Sequence, residues 1–170
     1  MALTFKVVII GQGGTGKTSL CIRVTQDKFS LDYRLTIGTG FFTHKVATSN
    51  SEIFLQIWDF AGQDQFKGVL DSFTKGAKGV LMTFDLTNLE SFIALEGVWI
   101  PFIKKNLPDS PIYLIGTKMD LEANREVDDF LIEELRGKYD FVFYLPTSSK
   151  TGQNVGDVFQ EVAEHLAKTI

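Results

Sequence analysis

The sequence predicts an α/β domain: a six-stranded, mostly parallel sheet with one antiparallel edge strand and helices on both faces. Three observations lead there. Short apolar runs of strand length alternate along the chain with amphipathic helical patterns, as βαβ crossovers require. The first of those runs passes directly into a glycine-rich loop that opens a helix. Two β-rich runs, 41–47 and 52–58, are separated only by Thr48-Ser49-Asn50-Ser51, which suits a hairpin and so one antiparallel edge.

Each element can be justified in turn. Residues 5–10, Phe5-Lys6-Val7-Val8-Ile9-Ile10, become apolar on both faces, as a central parallel strand must. A helix is expected over 17–28, beyond the glycine loop. After the hairpin come three further buried-strand candidates, 80–84, 112–115 and 141–145, separated by helical patterns over 91–104 and 127–138. The last helix carries Val155, Val158, Phe159, Val162, Ala163 and Leu166 at the i, i+3, i+4, i+7 spacing of a stripe to be buried. No repeat or linker interrupts the pattern, so 1–170 reads as a single domain. At 170 residues it can bury a core without metals or disulfides.

Composition narrows the function classes. The chain is 44% hydrophobic and 22% charged, with a net charge of −4 and scattered basic residues. That balance points away from nucleic acid and from anionic membrane surfaces. The single cysteine, Cys21, allows no internal disulfide and sits among Leu20, Ile22 and Val24 as a small packing thiol. No signal peptide or myristoylation glycine is expected at the start, and no apolar run reaches the roughly 20 residues that span a bilayer. The last residues, Ala167-Lys168-Thr169-Ile170, offer no cysteine for prenylation. The expectation is a cytoplasmic protein with no membrane anchor in this chain, or a membrane-associated one if a lipidated tail has been removed. His44, His165 and the acidic cluster Asp128, Asp129, Glu133 and Glu134 lack metal-ligand spacing and read as ordinary surface and packing residues.

The chemistry begins at Gly11-Gln12-Gly13-Gly14-Thr15-Gly16-Lys17-Thr18. Gly-x-x-x-x-Gly-Lys-Thr between a strand and a helix is a phosphate-binding loop, the mark of a P-loop NTPase. Glycines let the backbone curl with its amides inward, and the helix N-terminus adds partial positive charge. Lys17 would bridge the β- and γ-phosphates, and the Thr18 hydroxyl would ligate magnesium.

Three segments bear on which nucleotide is bound and what happens to it: Trp58-Asp59-Phe60-Ala61-Gly62-Gln63, Thr117-Lys118-Met119-Asp120 and Thr147-Ser148-Ser149-Lys150. Each follows a strand, so all three gather at the sheet edge where α/β ligands bind. There Asp59 can hold a metal through water, and the Gly62 amide can reach a γ-phosphate. With these motifs in order, the chain resembles the Ras superfamily of small GTPases over essentially its whole length. It looks most like the Rab branch, through Thr36-Ile37-Gly38-Thr39-Gly40-Phe41, Leu55-Gln56-Ile57-Trp58-Asp59 and Lys75-Gly76-Ala77-Lys78-Gly79.

The resemblance implies GTP or GDP with magnesium as the bound cofactors. Asp120 becomes the guanine reader: its carboxylate accepts from N1–H and N2–H₂, which adenine does not offer. Lys118 and Phe29 flank the base, the Ser149 amide meets the guanine O6, Ser148 steadies Asp120, and Lys150 completes that segment. Gly13, Gly14, Thr15, Gly16, Lys17, Thr18 and Ser19 surround the phosphates. Thr36 of switch I ligates magnesium beside Thr18, with Asp59 acting through water, and Gln63 of switch II orients the attacking water. Lys17, Thr36 and Gln63 thereby form the catalytic set. Arg34 reads as a surface residue, so an arginine supplied in trans is expected to accelerate slow intrinsic hydrolysis.

The expected partners are an exchange factor, a GTPase-activating protein and effectors that read switch I and switch II. Phe41, Trp58 and Phe73 match an effector-facing aromatic trio, or else pack as core. Several positions depart from the family pattern. Thr117 replaces the usual asparagine and loses an amide that braces the base; Ser149 replaces alanine; Phe60 and Gly40 replace threonine and aspartate. Two rival readings remain: an interaction module that holds GTP or GDP without cycling, and a P-loop kinase, which would bring an arginine-rich lid not found here.

Overall fold

The computed structural model describes residues 2–30, 39–60 and 71–170. Strand β1 (Ala2–Ile10) leads through the glycine loop into helix α1 (Lys17–Gln26). Strands β2 (Thr39–Ala47) and β3 (Glu52–Phe60) form the hairpin, closed by Thr48, whose amide and hydroxyl both donate to the Ser51 carbonyl at 2.9 Å. Then follow β4 (Gly79–Asp85), α2 (Leu89–Ala94), α3 (Ile100–Asn106), β5 (Ile112–Thr117), α4 (Asp129–Lys138), β6 (Phe141–Pro146) and α5 (Val155–Ala167).

The strands form one six-stranded sheet in the order β2-β3-β1-β4-β5-β6. Every pairing is parallel except β2 with β3, which is antiparallel at the edge as the hairpin requires. Each face of the sheet is covered. On one, Val7, Ile9, Leu55 and Ile57 pack against Leu20 of α1 and the α5 stripe Val155, Val158, Phe159, Val162, Ala163 and Leu166. On the other, Val8, Ile10, Met82 and Phe84 pack against Phe92, Trp99, Ile103, Ile132 and Leu135. Strand β4, enclosed by both layers, is buried at every residue.

The chain order reverses at β1, which has β3 on one side and β4 on the other. A sheet of this kind opens a crevice at such a switch point, outside the carboxyl ends of its strands. The loop 11–18 leaves β1 there.

Two elements differ from expectation for physical reasons. The helix expected over 91–104 is broken by a π-helical turn, Leu95–Trp99, in which the Ile100 amide bonds the Leu95 carbonyl. Pro101 follows in the first turn of α3. It has no amide to donate and its ring crowds the carbonyl four residues back, so a widened turn relieves both problems. Strand β1 starts earlier than its apolar run because Ala2, Leu3 and Thr4 pair with Glu52, Ile53 and Phe54 of the long hairpin. Tertiary pairing decides here, not local propensity. Among the described residues no helix is long and apolar enough to cross a membrane.

Candidate functional site

The phosphate loop needs its glycines for two reasons. A Cβ on Gly11 would lie 2.4 Å from both the carbonyl and the hydroxyl oxygen of Thr83, so the loop can leave β1 only without a side chain there. Gly14 and Gly16 take φ of 81° and 90°, the left-handed region that L side chains rarely adopt. Gly16, the N-cap of α1, has no side chain to cap the helix. That leaves the helix N-terminus built to receive an anion.

Lys17 folds back over the loop, donating from Nζ to the Gly11 and Gln12 carbonyls at 3.0 Å each. Burial lowers its pKa to about 8, with the Asp59 carboxylate acting in the opposite direction. A buried ammonium held by neutral carbonyls is short of negative charge, and a polyphosphate would supply it. Thr15 and Ser19 are buried, while Gly13 is half-buried.

Beside the lysine, the Thr18 hydroxyl donates to Oδ2 of Asp59. Asp59 is fully buried, and its Oδ1 has no hydrogen-bond partner among the described residues. Burial raises its pKa, against the pull of Thr18 and Lys17. A desolvated carboxylate next to a threonine hydroxyl is a pair of hard oxygen donors, so the residues fit a magnesium ion.

The second half of the site comes from the ends of β4, β5 and β6. Lys118, at φ 62° just past β5, pairs with Asp85 at 2.7 Å and donates to the Gly14 carbonyl at 3.0 Å. It thereby ties the strand ends to the phosphate loop. The Thr117 hydroxyl donates to the Thr15 carbonyl and lies 3.1 Å from that of Phe84. Its contacts brace the loop, a role the loss of an asparagine amide had obscured. Ser148 donates to Oδ1 of Asp120 at 2.7 Å and accepts from the Thr151 amide at 3.1 Å. Asp120 is otherwise exposed, so a carboxylate held by Ser148 is open to solvent. The Met119 amide bonds the Thr147 carbonyl at 3.0 Å, holding the two segments in register.

Ser149 is half-buried, Lys150 exposed, and Phe29 37% exposed beyond α1, open for contact with a base. Thr36, Gly62, Gln63 and Arg34 lie outside the described residues. Sequence reasoning missed Thr83 and Asp85. Both had a signal: Thr83 is the one hydroxyl in the apolar run 80–84, and Asp85 ends that strand at the same edge as Asp59.

Other candidates resolve into packing. Cys21 is buried in the core beside Leu20. His44 meets the Phe159 ring edge-on at 5.8 Å, and His165 Nδ1 lies 2.9 Å from the Tyr113 hydroxyl. Asp128 caps α4 by accepting from the Leu131 amide, while Asp129 and Glu133 pair with Arg125 and Arg136. The aromatic trio is continuous, with ring centroids 4.0 Å apart for Phe41 and Trp58 and 5.3 Å for Trp58 and Phe73. Trp58 and Phe73 pack on the core, whereas Phe41 is 59% exposed.

Glycine loop, buried lysine, hydroxyl–carboxylate pair and fixed outer carboxylate together define a P-loop nucleotide-binding domain. The sequence profile of the Ras family matches residues 6–168. The Ras-related protein Rab-13 of Bos taurus is 35% identical over 163 residues, covering 95% of this chain and 79% of that protein. The Ras-related protein SEC4 of Candida albicans is 33% identical, covering 95% and 76%. The Ras-related protein Rab5 of Nicotiana tabacum is 34% identical, covering 98% and 82%.

The chain belongs to the Ras family. It is accordingly a GTP-binding, GTP-hydrolysing switch with Rab-like relatives, and the non-cycling alternative is not favoured. GTPases of this family bind guanine nucleotide, generally with magnesium, and generally work with exchange factors, activating proteins and effectors.

Proposed function

We propose that this protein is a magnesium-dependent Rab-type switch acting from the cytoplasm in vesicle trafficking, with each site residue in the role its position suggests. Lys17 neutralises the β- and γ-phosphates, the amides of 13–19 wrap them, and Asp120 reads guanine while Lys118 and Phe29 flank it. Thr18, Thr36 and, through water, Asp59 hold magnesium, whose charge would offset that of the transferring phosphoryl group. Gln63 orients the attacking water, and the Gly62 amide holds the γ-phosphate until hydrolysis frees it. Exchange factor, activating protein and effectors act through switch I and switch II, with exposed Phe41 at the effector side.

The observation that carries this reading is Asp120. Its carboxylate is fixed by Ser148 at 2.7 Å, at the same sheet edge as the lysine that joins Asp85 to Gly14. The test is phosphate release from GTP by the purified protein with and without magnesium. Hydrolysis should be slow and magnesium-dependent, and Gln63→Leu should lower it by about tenfold or more, within the range of a lost positioning group. Turnover by Gln63→Leu equal to wild type would remove Gln63 from the mechanism.

A further inference from the structure

We infer that Thr83 is a positioning residue for the phosphate loop, holding it in the shape that grips the β-phosphate. Thr83 is fully buried in central strand β4, between apolar neighbours on both sides in sequence. A polar side chain in such a place costs stability unless its bonds are made. Both of its bonds go to the loop region. Its hydroxyl donates to the Ile10 carbonyl, the last of β1, at 2.9 Å. It also lies 3.1 Å from the Thr15 hydroxyl, itself 2.9 Å from the Gln12 carbonyl, so the two hydroxyl protons are divided among these three contacts.

One side chain therefore ties the point where the loop leaves β1 to the residue where the loop turns into α1. Gly11 presses on the same atoms, since a Cβ there would meet Thr83 at 2.4 Å. From β5, Thr117 fixes the other side of Thr15 through its carbonyl. The loop thus rests on hydroxyls from two neighbouring strands, and Thr83 supports its floor. Its hydroxyl contacts are with Ile10 and Thr15, not with the segment that carries Asp120, so the effect belongs to the phosphates and not to the base.

The inference rests on the reading of 11–18 as a polyphosphate cradle. The test compares Thr83→Val, which keeps the shape and removes the hydroxyl, with Thr83→Ser, which keeps the hydroxyl. Release of a fluorescent GDP is followed by stopped flow, and binding of GMP by ligand-observed NMR. Thr83→Val should release GDP about fivefold to tenfold faster, the equivalent of one buried hydrogen bond. Its GMP affinity should stay unchanged, and Thr83→Ser should release GDP at the wild-type rate. GDP release unchanged in Thr83→Val, an equal loss of GMP affinity, or Thr83→Ser behaving like Thr83→Val would each overturn the assignment. A wild-type protein that binds neither GDP nor GTP would overturn the cradle itself, a separate result.

Discussion

Gly11 shows how one position can serve fold and site together. It ends the apolar register of β1 and lets the loop pass within contact of Thr83, where any Cβ would collide at 2.4 Å with a backbone oxygen. Gly11→Ala must push the loop off β4 or bend the strand. Overpacking with backbone strain costs about 2–4 kcal/mol, and a urea titration of the nucleotide-free protein should show it. GDP affinity should fall as well, because the displaced carbonyl is one of the two that hold Lys17. Unchanged stability would mean that the loop has room the geometry denies. The P-loop residues were legible in the sequence because motif and context agree. Thr83 and Asp85 stood out only as polar residues in or ending an apolar run; their roles were not legible, because the partners Thr15 and Lys118 lie far off in sequence.

At the scale of elements, the edge strand β2 carries a titratable group into partial burial. His44 faces Phe159 of α5, and burial holds its pKa below the ordinary 6.5. The folded protein therefore resists protonation that the unfolded chain accepts. Its contribution is fully present above about pH 6.5 and is lost as pH falls through the lowered folded value. His44→Phe keeps the ring contact and removes the proton site. It should flatten the loss of thermal stability between about pH 7 and pH 5. An unchanged acid limb would mean that other groups carry it. Strand and helix identities were readable from periodicity, including the buried stripe of α5 and the hairpin edge. The π turn at Leu95–Trp99 was not, because its cause, Pro101, lies inside an otherwise continuous apolar pattern.

For the whole molecule, the sheet order gathers the function. Reversal at β1 places the phosphate loop at the crevice, and strands β3, β4 and β5 bring Asp59, Asp85 and Thr117 to the same end of the sheet. Two separate cores, one per face, hold that edge from both sides. The fold class was legible because alternation of strand and helix leaves few topologies. The links across the site were not, since Lys118 with Gly14 and Thr117 with Thr15 join segments far apart in sequence. In the proposed reading, the Asp120 carboxylate decides which base such a frame binds.

The central claim is that this carboxylate selects guanine, and competition between GTP and ATP for the nucleotide-free protein tests it most directly. The wild-type protein should prefer GTP by about 10⁴-fold or more, as a site built to pair with a specific donor set does. Asp120→Ala should lose most of that preference while keeping magnesium-dependent binding of the phosphates. Equal affinity for ATP and GTP in the wild-type protein, or full guanine preference in Asp120→Ala, would contradict the account.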